Sequence, residues 1–227
     1  MSKSKFTTIG RKILMALSGF FLMFFLLQHL TINMLSVISP DTFNEVSQFM
    51  GTNPVVQFAL QPVLIFAVFF HFIMGIILEL QNRNARSIKY AYNKPGTNSN
   101  WMSRNMIYSG LVVLAFLGLH FYDFWVHEIT VKYANGDMTG LVDPNDPNSG
   151  FRYYEELSEK FKDPTRVILY IISFVLLALH LLHGFQSSFQ SAGITKGKNF
   201  IKKFGNVFGI AVPAGFVFIA IFHYLQH

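Results

Sequence analysis

Cysteine is absent from all 227 residues, so disulfide scaffolds, thiolate iron–sulfur ligation and thiol chemistry are excluded for this chain. Charge is scarce too. Asp, Glu, Lys and Arg together make up 13 %, about half of the roughly 25 % with which a soluble domain covers its surface. Only 8 prolines accompany 16 % aromatic residues, a balance that rules out disordered and collagen-like chains. What fills the gap is apolar: 52 % of the residues are hydrophobic, and Phe alone occurs 26 times. A chain of this kind is an integral membrane protein.

A charged side chain at the centre of a span costs about 2.5–3.5 kcal/mol on insertion scales, and about 20 apolar residues cross the hydrocarbon. Charge-free runs therefore locate the spans, and five occur, at 13–40, 46–78, 105–122, 167–195 and 204–227. All are dense in Leu, Ile, Phe and Val without alternation, which excludes a porin-like barrel. The expected fold is all-α, one transmembrane domain over 1–227. It has five helices at about 12–38, 55–80, 104–127, 165–193 and 205–226, and an outer loop at about 128–163. The first run is longer than a signal-peptide core and lacks a small-residue cleavage pattern after it, so it reads as a retained helix.

Lys and Arg set the expected orientation. Lys3, Lys5, Arg11 and Lys12, then Arg83, Arg86, Lys89, Lys94 and Arg104, then Lys196, Lys198, Lys202 and Lys203 all fall on one side, 13 of the 18 basic residues. Only Glu79 joins them there, and the other 11 of 12 acids lie opposite. The N-terminus is thus expected in the cytoplasm and the C-terminus outside. The basic balance is topological and does not imply nucleic acid. The one sizeable extramembrane piece, 128–163, is rich in turn residues and carries a short amphipathic helix near Tyr153 to Lys162. It is too small for a catalytic domain, which points to a membrane anchor or relay whose soluble chemistry sits on other chains.

Histidine inside hydrocarbon is costly and normally marks function. His29, His71, His120 and His180 lie within four different spans. A lone buried histidine can be an interhelical hydrogen-bond partner, but four would need four separate coincidences. At about 1.5 Å rise per residue, His29 and His120 fall roughly 24–27 Å from the cytoplasmic edge, and His71 and His180 roughly 21–26 Å from the outer edge. Depth therefore pairs His29 with His120 and His71 with His180, the two levels about 10 Å apart along the membrane normal. Two imidazoles facing across a bundle, with no Cys or carboxylate beside them, suit haem b. Zinc or a di-iron centre would want further ligands, such as a Glu-x-x-His pattern, which the spans lack.

Small residues repeat with the histidines. Ser18-Gly19 precedes His29 by the same spacing that Ser109-Gly110 precedes His120, and His71-x-x-x-Gly75 matches His180-x-x-x-Gly184. The first two helices thus look duplicated as the third and fourth, with a fifth added. Gly19, Gly75, Gly110 and Gly184 are candidate positions for packing a flat macrocycle; general helix packing accounts for their presence but not for the matched offsets. His183, one turn from His180, is a rival ligand, although the depth and the His-x-x-x-Gly match both select His180. His127 stands with Asp123 and Glu128 at the outer mouth, an interfacial polar patch that would also suit proton exchange with a quinone. His223 and His227 end the last span and are expected to be solvated.

Gln28-His29-Leu30 with Asn33, Phe70-His71 with Gly75, Asn100-Trp101-Met102, His120, and the run from His180 to Ser187 with Gly193-Ile194 resemble the cytochrome b subunit of succinate dehydrogenase and fumarate reductase. The likeness is to its single-anchor form with five helices and two haems, and extends over nearly the whole chain. It implies an anchor, in a bacterial cytoplasmic membrane, for a flavoprotein subunit and an iron–sulfur subunit on the cytoplasmic face. The chain itself carries no dehydrogenase active site. Electrons from succinate would pass through FAD, iron–sulfur clusters, the inner haem and the outer haem to menaquinone. Matched residue by residue, His71 and His180 fall on the inner-haem ligands and His29 and His120 on the outer-haem ligands, while His183 occupies a position where relatives can carry Asn. Some fumarate reductases of this type carry a Glu two residues before the ligand on the fourth helix, as part of a proton path; this chain has Ala178 there. Asn33, Asp123 and His127, with Glu45, are polar and near the outer level, which makes them the quinone candidates. An oligomeric complex is compatible with the resemblance. Two other readings are a fumarate reductase anchor running in reverse and a transporter using histidines as a proton relay. The transporter would want broken helices and a mid-span acid, whereas the last span carries Pro213 and no acid lies mid-span.

Overall fold

A computed structural model describes residues 8–84, 106–194 and 196–227. Asn100-Trp101-Met102 and the basic residues Lys3, Lys5, Arg86, Lys89, Lys94 and Arg104 lie outside the described residues. Among the described residues the chain is helical, with one isolated β-bridge between Leu141 and Phe151. The helices are α1 (Thr8–Ile38), α2 (Pro40–Thr52), α3 (Gln61–Asn84), α4 (Met106–His120), α5 (Tyr153–Lys160), α6 (Pro164–Ser191) and α7 (Lys198–Leu225). A π-helical turn, Val56–Leu60, leads into α3, and α4 continues through π-helical turns at Phe121–Val126 and Thr130–Ala134. Five stretches are long and apolar enough to cross a membrane: Ile9–Ile38, Val56–Arg83, Met106–Ala134, Pro164–Ser191 and Lys198–Leu225. Their outer faces carry Phe24, Phe58, Phe66 and Phe200 at 68–75 % exposure, which water would not tolerate over such lengths and lipid does.

Two features depart from the expected layout. Residues 40–52 form a helix of their own, α2, because Ser39 caps it, its Oγ accepting from the Thr42 N–H at 3.4 Å, and Pro40 fits the first helical position. The third crossing helix also runs on to Ala134, past residue 128, where the outer loop was expected to begin. Its last turn is anchored by Lys132, which is 3 % exposed, pairs with Glu128 at 2.8 Å and donates to the Gly51 carbonyl at the end of α2.

The tightest packing is between α6 and α7. A Cβ at Gly209 would stand 3.1 Å from the Leu182 backbone nitrogen, and one at Gly205 would stand 2.6 Å from the Phe185 ring. Absence of side chains there lets the two backbones approach. α7 also packs against α1, where a Cβ at Gly215 would meet Leu30 at 2.9 Å. Toward the end of the molecule opposite the chain's start, Phe161, Tyr170, Phe174, Phe216, Ile219 and Ala220 form a buried cluster. α3 leans on α1, and α4 leans on α6. Between these pairs runs a cavity of about 890 Å³.

Candidate functional site

All four candidate histidines line this cavity. His29 on α1 faces His120 at the end of α4, with ring centroids 5.7 Å apart and planes at 85°. His71 on α3 faces His180 on α6, at 6.5 Å and 68°. The second pair lies toward the end where the chain begins and the first toward the opposite end. Two imidazoles on opposite sides of one metal, each nitrogen about 2.0–2.1 Å from it, have ring centroids about 6–6.5 Å apart, a separation that the His71–His180 pair has and that the His29–His120 pair, at 5.7 Å, falls short of. Among the described residues no group of three or more His, Asp or Glu side chains could hold a metal ion, which leaves each imidazole pair as the complete protein donor set. His120 Nδ1 is buried without a hydrogen-bond partner, a state that costs about 1–3 kcal/mol in a dry interior. The donor chemistry of both pairs fits a bis-histidine haem iron, and the spacing of His71 and His180 fits it as well.

The surroundings repeat as the sequence does. A Cβ at Gly19 would stand 3.7 Å from His71 Cε1, and one at Gly110 would stand 3.6 Å from His180 Cε1. A Cβ at Gly75 would stand 3.6 Å from Met15 Cε, and one at Gly184 would stand 3.8 Å from Met106 Cε. Gly19 and Gly110 therefore bring bare backbone up to the edges of the imidazole rings. Beside them, Ser18 Oγ lies 3.0 Å from His71 Nδ1 and Ser109 Oγ 3.3 Å from His180 Nδ1. The other pair has an aromatic setting instead: Phe25 stacks on His29 at 5.4 Å and Phe116 on His120 at 5.9 Å. His183 lines the same cavity one turn beyond His180.

Of the polar candidates at the far end, Asn33, Asp123 and His127 line the cavity, whereas Glu45 is exposed on α2 and does not. Asn33 Nδ2 donates to the His29 carbonyl at 2.8 Å and lies 3.4 Å from His29 Nδ1, a long contact. Asp123 is 1 % exposed, and its Oδ2 accepts from the Tyr170 hydroxyl at 2.8 Å. Arg166 Nη1 is 3.1 Å from Oδ1, but the approach is poorly angled, so Oδ1 has an ion-pair partner and no aligned hydrogen bond. His127 Nε2 meets Glu156 at 3.1 Å, and Arg152 bridges Glu156 at 2.5 Å and Glu128 at 2.7 Å. Burial, then the charge of Glu128, pushes the neighbouring Tyr153 phenol above its usual range, and its hydroxyl donates to Gln48 on α2 at 2.6 Å.

The expectation of solvated histidines at the end of the last span is corrected for His223, whereas His227 is exposed as expected. His223 is 0 % exposed, its Nε2 lies 2.9 Å from Ser36 Oγ, and its ring stacks on Phe161. His227 Nε2 lies 2.8 Å from Ser158 Oγ. Helix α5 and the turn after it thus reach this end of α7 through Ser158 and Phe161. Arg166, Tyr170 and Glu156 escaped notice in the sequence because their partners lie on other helices, and no local spacing records that pairing.

Residues 4–92, which include His29 and His71, match the family described as succinate dehydrogenase/fumarate reductase transmembrane subunit. The chain is similar to the succinate dehydrogenase cytochrome b558 subunit of Bacillus subtilis (strain 168), at 22 % identity over 172 residues, covering 75 % of this chain and 73 % of the relative. No solved structure matches. With its five membrane-crossing helices and a family match that takes in the first two of its facing histidines, this chain is similar to the succinate dehydrogenase/fumarate reductase transmembrane subunits.

Proposed function

We propose that the chain is the di-haem cytochrome b anchor of a succinate:quinone oxidoreductase, joining an iron–sulfur partner on the cytoplasmic face to menaquinone near the outer face. The observation that carries this reading is the meeting of four histidines from four crossing helices as two facing pairs in one largely apolar cavity. In it, His71 and His180 hold the inner haem iron and His29 and His120 the outer. Haem b, when bound, supplies reversible one-electron transfer.

The chain's own contribution is ligation, burial and proton handling. Apolar side chains such as Phe116, Phe174 and Leu177 line the cavity and keep water away from the imidazoles. Gly19 and Gly110 leave the ring edges uncrowded, and Gly75 and Gly184 leave room for flat groups. Asn33, Asp123 and His127 are the polar groups at the menaquinone end, with Asp123 connected to the more exposed Arg166 and the half-exposed His127 to Glu156. The likeness to that family implies flavoprotein and iron–sulfur partners, and the basic end of the chain is the face that would meet them in the cytoplasm of a bacterium. Reduced-minus-oxidised spectra of the purified complex, with haem-to-chain stoichiometry and succinate reduction in native membranes, test the reading. Two b-type haems per chain, at least partly reducible by succinate, are expected; a chain without haem would overturn it.

A further inference from the structure

Three serines share one arrangement. Ser18, Ser36 and Ser109 each donate to the carbonyl three residues earlier, of Met15 at 2.9 Å, Asn33 at 2.7 Å and Met106 at 2.9 Å. Each also lies against a histidine on another helix: His71 Nδ1 at 3.0 Å, His223 Nε2 at 2.9 Å and His180 Nδ1 at 3.3 Å. A hydroxyl has one proton. With that proton committed to the carbonyl, the oxygen can only accept, so the ring nitrogen facing it carries the hydrogen. For His71 and His180 this places the proton on Nδ1 and leaves the Nε2 lone pair available to a metal. For His223 it places the proton on Nε2.

We infer that Ser18 and Ser109 are positioning residues for the inner histidine pair, fixing the tautomer and the ring plane in which His71 and His180 present Nε2 to the cavity. The inference rests on the haem reading above. Both devices work between helices: Ser18 on α1 serves His71 on α3, and Ser109 on α4 serves His180 on α6. In each, the adjoining glycine lies against Cε1 of the same ring. The Ser-Gly dipeptide thus lies beside two neighbouring ring atoms, the hydroxyl against Nδ1 and the bare glycine next to Cε1. The outer pair has no such hydroxyl, since His120 Nδ1 is without a partner and His29 has only the long contact to Asn33.

An acceptor on the distal N–H raises the basicity of a metal-bound imidazole, so its removal weakens donation to the oxidised iron and raises that iron's reduction potential. The test uses the intact complex carrying Ser18→Ala, Ser109→Ala, Ser18→Thr or Ser36→Ala, with the inner-haem signal assigned as the one lost in His71→Ala. Both alanine variants at 18 and 109 are expected to retain two haems, to raise the inner-haem midpoint and to move its low-spin ferric EPR signal, with the outer haem unmoved. Ser18→Thr, which keeps the hydroxyl, is expected to restore the wild-type signal, and Ser36→Ala to leave the inner haem unchanged. A wild-type inner-haem midpoint and EPR signal in both alanine variants, or the same shift in Ser36→Ala, would overturn the inference. If Ser18→Ala does not assemble, Ser109→Ala decides alone. A wild-type complex without haem defeats the functional reading itself, whereas two haems with silent alanine variants defeat only the positioning role.

Discussion

His180 and His183 occupy the same wall of the cavity, yet among the described residues only His180 has a histidine ring facing it and a serine hydroxyl behind it. Replacing His180 by Ala is therefore expected to halve the haem content, from two per chain to one, and replacing His183 by Ala to leave it at two, read from pyridine haemochrome stoichiometry. The partnership of His29 with His120 and His71 with His180 was legible in the sequence because helical rise is constant, so counting residues from charged edges gives depth. The hydroxyl partners were not legible. Ser18 and Ser109 stood out only as small residues beside glycine, and their contact with a ring depends on how each helix is rotated about its axis, which depth does not encode. The burial of His223 escaped for a related reason: it depends on α5, a segment far from it in the chain.

The five crossing helices were plain from charge-free runs, since no other fold buries such stretches. α2 was hidden, because Asp41 and Glu45 are its only charged residues and it sits between two apolar runs; its signal was local, in the cap Ser39-Pro40-Asp41. The π-helical turns had no sequence signal at all. One of them, Phe121–Val126, directly follows His120 and holds Asp123, in keeping with the tendency of such turns to occur at functional sites. The α6–α7 contact makes a sharper demand. At Gly209 the nearest atoms to an added Cβ belong to the Leu182 backbone, which cannot move aside as a side chain would. Gly209→Ala is expected to cost about 1–3 kcal/mol, as overpacking does, seen as a lower midpoint of thermal unfolding in detergent.

For the molecule as a whole, the asymmetry of basic residues makes orientation testable without background, because the chain has no native thiol. A membrane-impermeant maleimide added to intact cells is expected to label Asp146→Cys and to spare Lys198→Cys, both exposed positions; the reverse pattern would invert the topology. The distribution of contacts among helices carries a further consequence. α6 and α7 are joined along their length, whereas α3 rests on α1, α4 rests on α6, and α3 and α4 touch each other sparsely. Among the described residues, α4 has none that is buried as a whole and α3 has only Ala67. Local stability follows buried contacts, so the molecule divides into a self-sufficient wall and two helices whose order is borrowed from whatever occupies the space between them. On removal of bound cofactor, amide hydrogen exchange is expected to accelerate first in α3 and α4 while α6 and α7 keep their protection, so that ligand binding and the completion of folding are one event on that side of the bundle.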